Sequence, residues 1–158
     1  MFKATGAMVQ ILTGADALDA MRRDIAESGD VFAWMYLIEE GWAREMLARQ
    51  PHDTPMQIIV DQRSAAIAAR IQSEDKRFEA WAWARNRTMH DKTYIFPLPG
   101  ITYIGTHNMT RGSYTLSRNR SARIESHALS KAMLRQWHED RARARKINDR
   151  EGREENRK

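Results

Sequence analysis

The feature that most constrains the fold is a pair of short, almost wholly apolar runs at residues 31–38 and 56–60. Runs of this length and composition are typical of strands that are buried on both faces of a sheet. Three further segments, 15–27, 39–50 and 64–72, have the amphipathic spacing of helices. Strands that alternate with helices in this way predict an α/β fold.

The rest of the chain continues the pattern. Further elements are predicted on the same grounds: strands at 8–12, 78–84 and 119–125, and a long C-terminal helix at 127–146. The order predicts a mixed central β-sheet flanked by helices on both faces. We expect one domain over residues 1–146 and a charged tail over 147–158 that frays or is disordered.

A β-hairpin is predicted late in the chain. Residues 88–96 and 101–110 are rich in apolar, aromatic and β-branched side chains, and they flank the segment Pro97-Leu98-Pro99-Gly100. Proline and glycine at this point indicate a turn that ends one strand and starts the next. Residues 111–118, which follow, are polar and are predicted to be irregular.

The hairpin carries polar residues that are suited to phosphate chemistry. Side chains two apart on a strand share a face, so His90 and Lys92 should point the same way. By the same rule Thr106 and Asn108 should lie together, while His107 points away from them. Strand pairing would place an imidazole, an ammonium, a hydroxyl and a carboxamide on one surface, and these groups can bind and attack a phosphate.

Basic residues surround the hairpin. The formal net charge is +5, and the only acid between residues 85 and 124 is Asp91. The basic residues in this span are Arg85, Arg87, Lys92, Arg111, Arg118, Arg120 and Arg123. An arginine-rich solvated surface would have this composition too, but the coincidence with phosphate-suited residues favours a site for a polyanion.

Composition excludes several other classes of protein. The chain has no cysteine, which excludes disulfides and thiolate metal sites. Its apolar runs are too short to span a bilayer, and its first residues do not form a secretory leader. We therefore expect a soluble, cytoplasmic protein with no membrane partner.

The hairpin resembles the signature of the phospholipase D superfamily, which is a histidine, any residue and a lysine, then an aspartate, and later a glycine, a hydroxyl residue and an asparagine. His90-Asp91-Lys92 matches the opening, and Gly105-Thr106-His107-Asn108 matches the close. Two features depart from the family. Pro97 occupies the position of the aspartate, and no acid lies at 119–121, where an acid that orients the histidine is expected. Glu125 is the nearest candidate for that role.

The family builds one catalytic centre from two such motifs, whereas this chain has one. Its remaining histidines, which lack a lysine two residues later, are His52, His107, His127 and His138. The resemblance therefore implies a homodimer in which two hairpins face each other across a two-fold axis and form one composite site.

The resemblance also implies a mechanism that needs neither a metal nor a cofactor. His90 would attack the phosphorus, and His90 of the partner subunit would protonate the leaving oxygen. Lys92, Asn108 and Thr106 would hold the non-bridging oxygens. The implied activity is that of a nuclease acting on DNA or RNA, with backbone phosphates bound by a set of arginines, namely Arg85, Arg87, Arg111 and Arg118.

Two alternatives stay open at this stage. A catalytically impaired member of the fold would bind nucleic acid or protein, as the absent aspartate suggests. A phospholipase acting on lipid is the other alternative. Trp34, Trp81 and Trp83 are interpreted as core residues, and Trp42, which lies in a polar helix, as a candidate interface residue.

Overall fold

The computed structural model describes residues 6–51, 53–83, 88–115 and 118–148. Within them, eight strands form one sheet: β1 (Met8–Thr13), β2 (Val31–Met35), β3 (Met56–Val60), β4 (Phe78–Ala82), β5 (Lys92–Phe96), β6 (Ile101–Gly105), β7 (Arg120–Glu125) and β8 (Arg145–Lys146). The helices of the same residues are α1 (Gly14–Glu27), α2 (Glu40–Arg49), α3 (Ala65–Glu74), α4 (Arg111–Thr115) and α5 (His127–Arg143). This mixed α/β architecture confirms the fold class predicted from the sequence.

The strand order is β1-β7-β6-β5-β2-β3-β4-β8. Strands β2, β3 and β4 are parallel, and β5 runs antiparallel to β2. Strands β6, β7 and β1 continue with antiparallel pairing. One edge of the sheet therefore collects the carboxyl ends of β2, β3, β4 and β6 with the amino ends of β5 and β7. We call this edge the carboxyl edge; it is where ligands bind in many open α/β sheets.

Strand β2 is buried on both faces. Val31, Ala33 and Met35 face a core shared with α1, α2 and α3, while Phe32 and Trp34 face a second core under α5. On α5, Trp137 is fully buried, and its indole N–H donates to the Ala33 carbonyl oxygen at 2.9 Å. Helices thus cover both faces, as the continuous apolar run predicts. Among the described residues, no helix is long and apolar enough to cross a bilayer.

The hairpin forms, but its strands are shorter than predicted. They span Lys92–Phe96 and Ile101–Gly105, so His90 precedes the first strand, and Thr106 and Asn108 follow the second. Gly100 in the turn has φ +69°, and a Cβ there would lie 2.5 Å from Nδ1 of His127. The turn therefore requires glycine at this position.

The C-terminal region differs from the prediction in two ways. Helix α5 ends at Arg143, and the next residues form β8, which pairs with β4 as the outermost strand of the sheet. Ile147, which the sequence assigns to the tail, is 1% exposed and lies in the main core, and its N–H donates to the Ala80 carbonyl oxygen at 3.1 Å. Packing against β4 therefore extends beyond residue 146, and the rest of the predicted tail from 149 onward lies outside the described residues. The segment after the hairpin, predicted to be irregular, contains the short helix α4.

A buried ionic cluster ties α1 to the sheet. Asp24 is 2% exposed and accepts from Arg123 Nε at 2.6 Å, from Arg123 Nη2 at 3.1 Å and from the Tyr103 hydroxyl at 2.5 Å. The hydrogen bond to Asp24 raises the pKa of Arg123 above its ordinary value. Burial, reinforced by Asp24, raises the pKa of Tyr103. Removing one partner would leave a buried charge without compensation.

We expect the substitution Asp24→Asn to lower the free energy of unfolding by about 3 kcal/mol, because Arg123 would keep its buried charge and lose its buried counterion, with only the partly exposed Glu125 carboxylate left. Urea denaturation monitored by circular dichroism measures this difference. Asp19→Asn is the matched control, since Asp19 lies on the same helix and is exposed. The control should stay within about 0.5 kcal/mol of the wild type. Equal stabilities of the two variants would contradict the role given to the cluster.

Candidate active site

The polar residues predicted from the hairpin lie at the carboxyl edge. His90 precedes β5, Lys92 is the first residue of β5, and Asn108 lies three residues after β6. Three of the four polar residues singled out in the hairpin converge on Tyr36-Leu37, the dipeptide that leaves the end of β2.

His90 and Lys92 share the ring of Tyr36. The imidazole of His90 is exposed and lies against Tyr36, with ring centroids 4.4 Å apart and planes tilted by 31°. The Lys92 ammonium lies 5.1 Å from the centre of the same ring and donates to the His90 carbonyl oxygen at 2.7 Å. The Tyr36 N–H donates to the Asp91 carbonyl oxygen at 3.1 Å, which fixes the approach of the two segments. An accessible imidazole thus stands beside an ammonium.

Asn108 reaches the same place because its segment pairs with the exit of β2. The Met109 N–H donates to Leu37 O at 3.1 Å, and the Glu39 N–H donates to Met109 O at 2.8 Å. The side-chain oxygen of Asn108 accepts from the Leu37 N–H at 3.1 Å. Because the amide oxygen of Asn108 already accepts from the Leu37 N–H, the NH₂ group is the part of Asn108 that can donate to a ligand.

Thr106 is placed differently from the other three. Its hydroxyl donates to the Arg120 carbonyl oxygen at 3.2 Å and accepts from the Arg120 N–H at 2.9 Å. These bonds extend the pairing of β6 and β7 beyond its last residues. The hydroxyl of Thr106 therefore serves the sheet and does not join the group around Tyr36.

Glu125 lies at the opposite end of the sheet from His90. It pairs with Ile101 at the start of β6, whereas Ser121, at the carboxyl edge, pairs with Gly105. Four residues of strand separate the two positions on β7, which is about 13 Å. The Glu125 carboxylate accepts from Arg123 Nη1. This placement does not allow Glu125 to orient His90 of the same chain, which is the role that the family resemblance suggested for it.

The predicted phosphate-binding arginines are located in part. Arg111 and Arg118 are exposed and flank α4, close to the carboxyl edge. The backbone N–H of Arg111 donates to a Glu39 carboxylate oxygen at 3.0 Å. Arg85 and Arg87 lie outside the described residues.

His107 points into the core, away from Asn108. It is 2% exposed, its Nδ1 lies 2.7 Å from the Ser121 hydroxyl, and its ring stacks on Tyr114 at a centroid distance of 4.6 Å. Burial lowers the pKa of this imidazole. Trp42 also packs against the Tyr114 ring, at a centroid distance of 5.2 Å, and is 3% exposed. Trp42 is therefore a core residue and not the interface residue that the sequence suggested.

Three residues of the site were missed from the sequence: Tyr36, Asp61 and Arg63. Arg63 lies in a 3₁₀ turn, Gln62–Ser64, directly after β3, and its guanidinium donates to the Tyr36 hydroxyl. The apolar run at 31–38 predicts Tyr36 inside a buried strand, whereas β2 ends at Met35. For Asp61 the sequence did offer a signal, since it directly follows the predicted strand 56–60 and ligand-binding residues often follow the carboxyl ends of strands in α/β sheets.

Comparison with known proteins identifies the fold of this chain. The sequence matches no protein-family model and no curated protein. Among solved structures, Nuc from Salmonella typhimurium, a phospholipase D family member, superposes with a TM-score of 0.72 at 16% identity, over 90% of this chain and 99% of that one. The chain has the phospholipase D fold.

Two longer proteins contain the same fold. Phosphatidylserine synthase from Haemophilus influenzae superposes with a TM-score of 0.70 at 10% identity, over 93% of this chain and 41% of that one. The archaeal chromatin protein TrmBL2, whose structure shows a novel mode of DNA binding, superposes with a TM-score of 0.62 at 10% identity, over 89% of this chain and 55% of that one. At these identities the likeness concerns the phospholipase D fold alone.

The burial of His107 predicts a pH-dependent stability. An unfolded chain binds a proton at this imidazole below about pH 6.5, whereas the folded chain resists protonation because burial lowers the pKa. The stability due to the neutral imidazole is thus fully present above the unfolded pKa and is lost as the pH falls below it, by at most about 1.4 kcal/mol per pH unit.

Urea unfolding between about pH 7.5 and about pH 5.5, a window that brackets the unfolded pKa, measures this effect. We expect the wild type to lose more stability over this window than His107→Gln, which has no titrating group at position 107. The pKa of His138 is also lowered, mainly by burial, but His138 is common to both proteins and cancels in the difference. Parallel pH profiles for the two proteins would contradict a buried neutral His107.

Proposed function

We propose that this chain is a metal-independent nuclease that cleaves phosphodiester bonds through a phosphohistidine intermediate, at a site shared by two subunits. The observation that carries the proposal is that three polar side chains meet at the dipeptide Tyr36-Leu37. The exposed His90 imidazole and the Lys92 ammonium contact the Tyr36 ring, and the Asn108 carboxamide accepts from the Leu37 N–H. A phospholipase D fold around this arrangement supports it.

The proposed reaction has two steps. A nitrogen of His90 attacks phosphorus, the bond to the leaving oxygen breaks, and His90 of the partner subunit gives that oxygen a proton. The partner's His90 then takes a proton from water, whose oxygen attacks the phosphohistidine and releases the nitrogen of His90. Lys92 and the NH₂ group of Asn108 donate to the non-bridging oxygens, where negative charge develops.

The two imidazoles must differ in protonation at the moment of attack. One has to be neutral to act as a nucleophile, and the other has to be protonated to act as an acid. Two titratable groups at close range titrate as a coupled pair, because protonating one disfavours protonating the other. A bound phosphodiester between them would stabilise the singly protonated pair.

Nucleic acid is the substrate that the surrounding charge favours. Arg63, Arg111 and Arg118 are exposed near the carboxyl edge, and the chain carries a formal net charge of +5. A polyanion with one phosphate per nucleotide can contact such residues without reading sequence. TrmBL2, which shares the fold, is a precedent for DNA binding by a protein of this architecture.

An uncovered apolar face supports the proposed homodimer. Val9 and Ile11 on β1 and Ile104 on β6 are 56%, 67% and 39% exposed. Ile11 pairs with Ala122, which pairs with Ile104, so these side chains lie on one face of the sheet. On that face α5 contacts β2, β5 and β6, whereas Val9 and Ile11 on β1 stay more than half exposed in the described part of the chain.

A second copy is the occupant that best fits this face. The proposed site needs two imidazoles, and one chain supplies one. Ile104 lies two residues before Thr106, so the apolar face reaches the carboxyl edge where His90 stands. An isologous contact through this face would bring both copies of that edge toward the two-fold axis.

The second candidate function is a nucleic-acid-binding module without catalysis. Two observations favour it: Pro97 stands in place of the family aspartate, and Glu125 lies at the far end of the sheet from His90. A binding module would keep the positive surface and would need no orienting acid. Cleavage distinguishes the two functions.

We expect the purified protein to cleave single- or double-stranded DNA or RNA in the presence of EDTA. His90→Ala should lower the rate by roughly 10³-fold or more, because it removes the nucleophile. His127→Ala is the matched control, since His127 is exposed and follows the end of β7 farthest from the site. Wild-type protein that binds these substrates and cleaves none would overturn the nuclease and favour the binding module. Equal cleavage by wild type and His90→Ala would overturn the mechanism.

The dimer gives a separate prediction. Ile11→Glu should raise the dimer dissociation constant roughly 100-fold, because an unpaired carboxylate buried in an interface costs about 3 kcal/mol. Light scattering at micromolar protein measures the oligomeric state, and the loss of the dimer should abolish cleavage. Leu98→Glu is the control, since Leu98 is 75% exposed in the hairpin turn at the other end of the sheet. A monomeric wild type, or an unchanged Ile11→Glu dimer, would contradict the proposed interface.

A further inference from the structure

A guanidinium that the sequence motif does not include contacts the same tyrosine as the proposed nucleophile. Arg63 is exposed, its guanidinium carbon lies 5.4 Å from the centre of the Tyr36 ring, and it donates to the Tyr36 hydroxyl. His90 and Lys92 contact the same ring. We propose that Arg63 is an additional phosphate-binding residue of this site, and that Tyr36 positions both Arg63 and the His90 imidazole. The proposal rests on the function inferred above, since its ligand is a phosphate group of a bound nucleic acid.

The backbone holds Arg63 in a fixed relation to His90. Asp61 is 5% exposed, and one of its carboxylate oxygens accepts from the Arg63 N–H at 3.1 Å while the other accepts from the Met89 N–H at 3.1 Å. The Asp61 N–H donates to the Met35 carbonyl oxygen at 3.1 Å. The buried carboxylate of Asp61 thus joins the turn after β3 to the residue before His90, and the Asp61 backbone N–H joins it to the residue before Tyr36. The two bonds to the carboxylate are charge-assisted and are stronger than bonds between neutral groups.

The charge around Tyr36 is positive, and no described carboxylate neutralises it. Among the described residues, no carboxylate lies within 4.0 Å of the Arg63 guanidinium or of the Lys92 ammonium; Asp61 meets Arg63 only at its backbone N–H. Cations gathered around one neutral ring repel one another. A phosphate would remove this repulsion and would accept from both side chains, and the forked donors of arginine match two phosphate oxygens.

Tyr36 also contacts the His90 ring directly. The two rings pack against each other, whereas Glu125 lies at the far end of the sheet. Stacking restricts the tilt of the imidazole without fixing which nitrogen carries the proton. Tyr36 is therefore a positioning residue: it acts through His90 and Arg63.

Binding is measured first, in a His90→Ala background that cannot cleave. Fluorescence anisotropy with a labelled ten-nucleotide single-stranded DNA, over a series of NaCl concentrations in EDTA, gives affinity and its salt dependence. Arg63→Ala should weaken binding roughly tenfold and lower the salt slope by about 0.7, the value for one lost phosphate contact with a single strand. Arg63→Lys should recover part of the affinity. Arg135→Ala, which removes the same charge from an exposed position on α5, is the matched control.

The role of Tyr36 is tested by cleavage with protein that retains His90. Tyr36→Phe keeps the ring and loses the hydroxyl that holds Arg63, so it should raise KM and leave kcat close to the wild type. Tyr36→Leu loses the ring as well, so it should also lower kcat roughly tenfold or more. Equal kcat values for Tyr36→Leu and Tyr36→Phe would overturn the positioning role.

Failure of this inference is distinguishable from failure of the proposed function. If the wild type cleaves and Arg63→Ala binds as Arg135→Ala does, the role of Arg63 is wrong and the nuclease stands. If nothing is cleaved but Arg63→Ala loses affinity and salt slope, the nuclease is wrong and the role of Arg63 in phosphate binding stands.

Discussion

Burial of β2 on both faces is the constraint from which the rest of the architecture follows. Alternate residues of Val31–Met35 enter two different cores, so helices must cover both sides of the strand, and β3 and β5 must satisfy its backbone on either edge. A strand held on four sides has a fixed exit. Tyr36 and Leu37 leave it at the carboxyl edge, and the groups proposed to bind phosphate are arranged around these two residues.

Buried and exposed cations have different roles in this sheet. Arg123, which pairs with Tyr103 in the middle of β6, is buried and neutralised by Asp24 and Glu125, so its role is to join α1 to β6 and β7. At the carboxyl edge, Lys92 and Arg63 rest on an aromatic ring without a carboxylate partner among the described residues. Neutralised cations stabilise the fold, whereas cations left beside an exposed imidazole are available to an anionic ligand.

Part of the site was accessible from the sequence because it depends on local geometry. His90 and Lys92 are two residues apart, and their shared contact with Tyr36 follows from strand alternation. The inward orientation of His107 follows from the same rule. The same rule failed for Thr106, because β6 ends at Gly105 and pairing with Arg120 uses the Thr106 hydroxyl. Glu125 was assigned by motif spacing, and strand register places it at the far end of β7.

Local sequence patterns were sufficient to predict the α/β class, the hairpin and the polar residues on it, since apolar periodicity and turn chemistry act over a few neighbouring positions. Which segments meet at the carboxyl edge depends on the tertiary structure. Tyr36 and Arg63 follow strands that are far from His90 in the chain, and they reach its vicinity through the hydrogen bonds that Asp61 accepts from Arg63 and Met89 and through the parallel pairing of β2 and β3. Contacts between distant segments depend on strand order and register, which local sequence patterns do not encode.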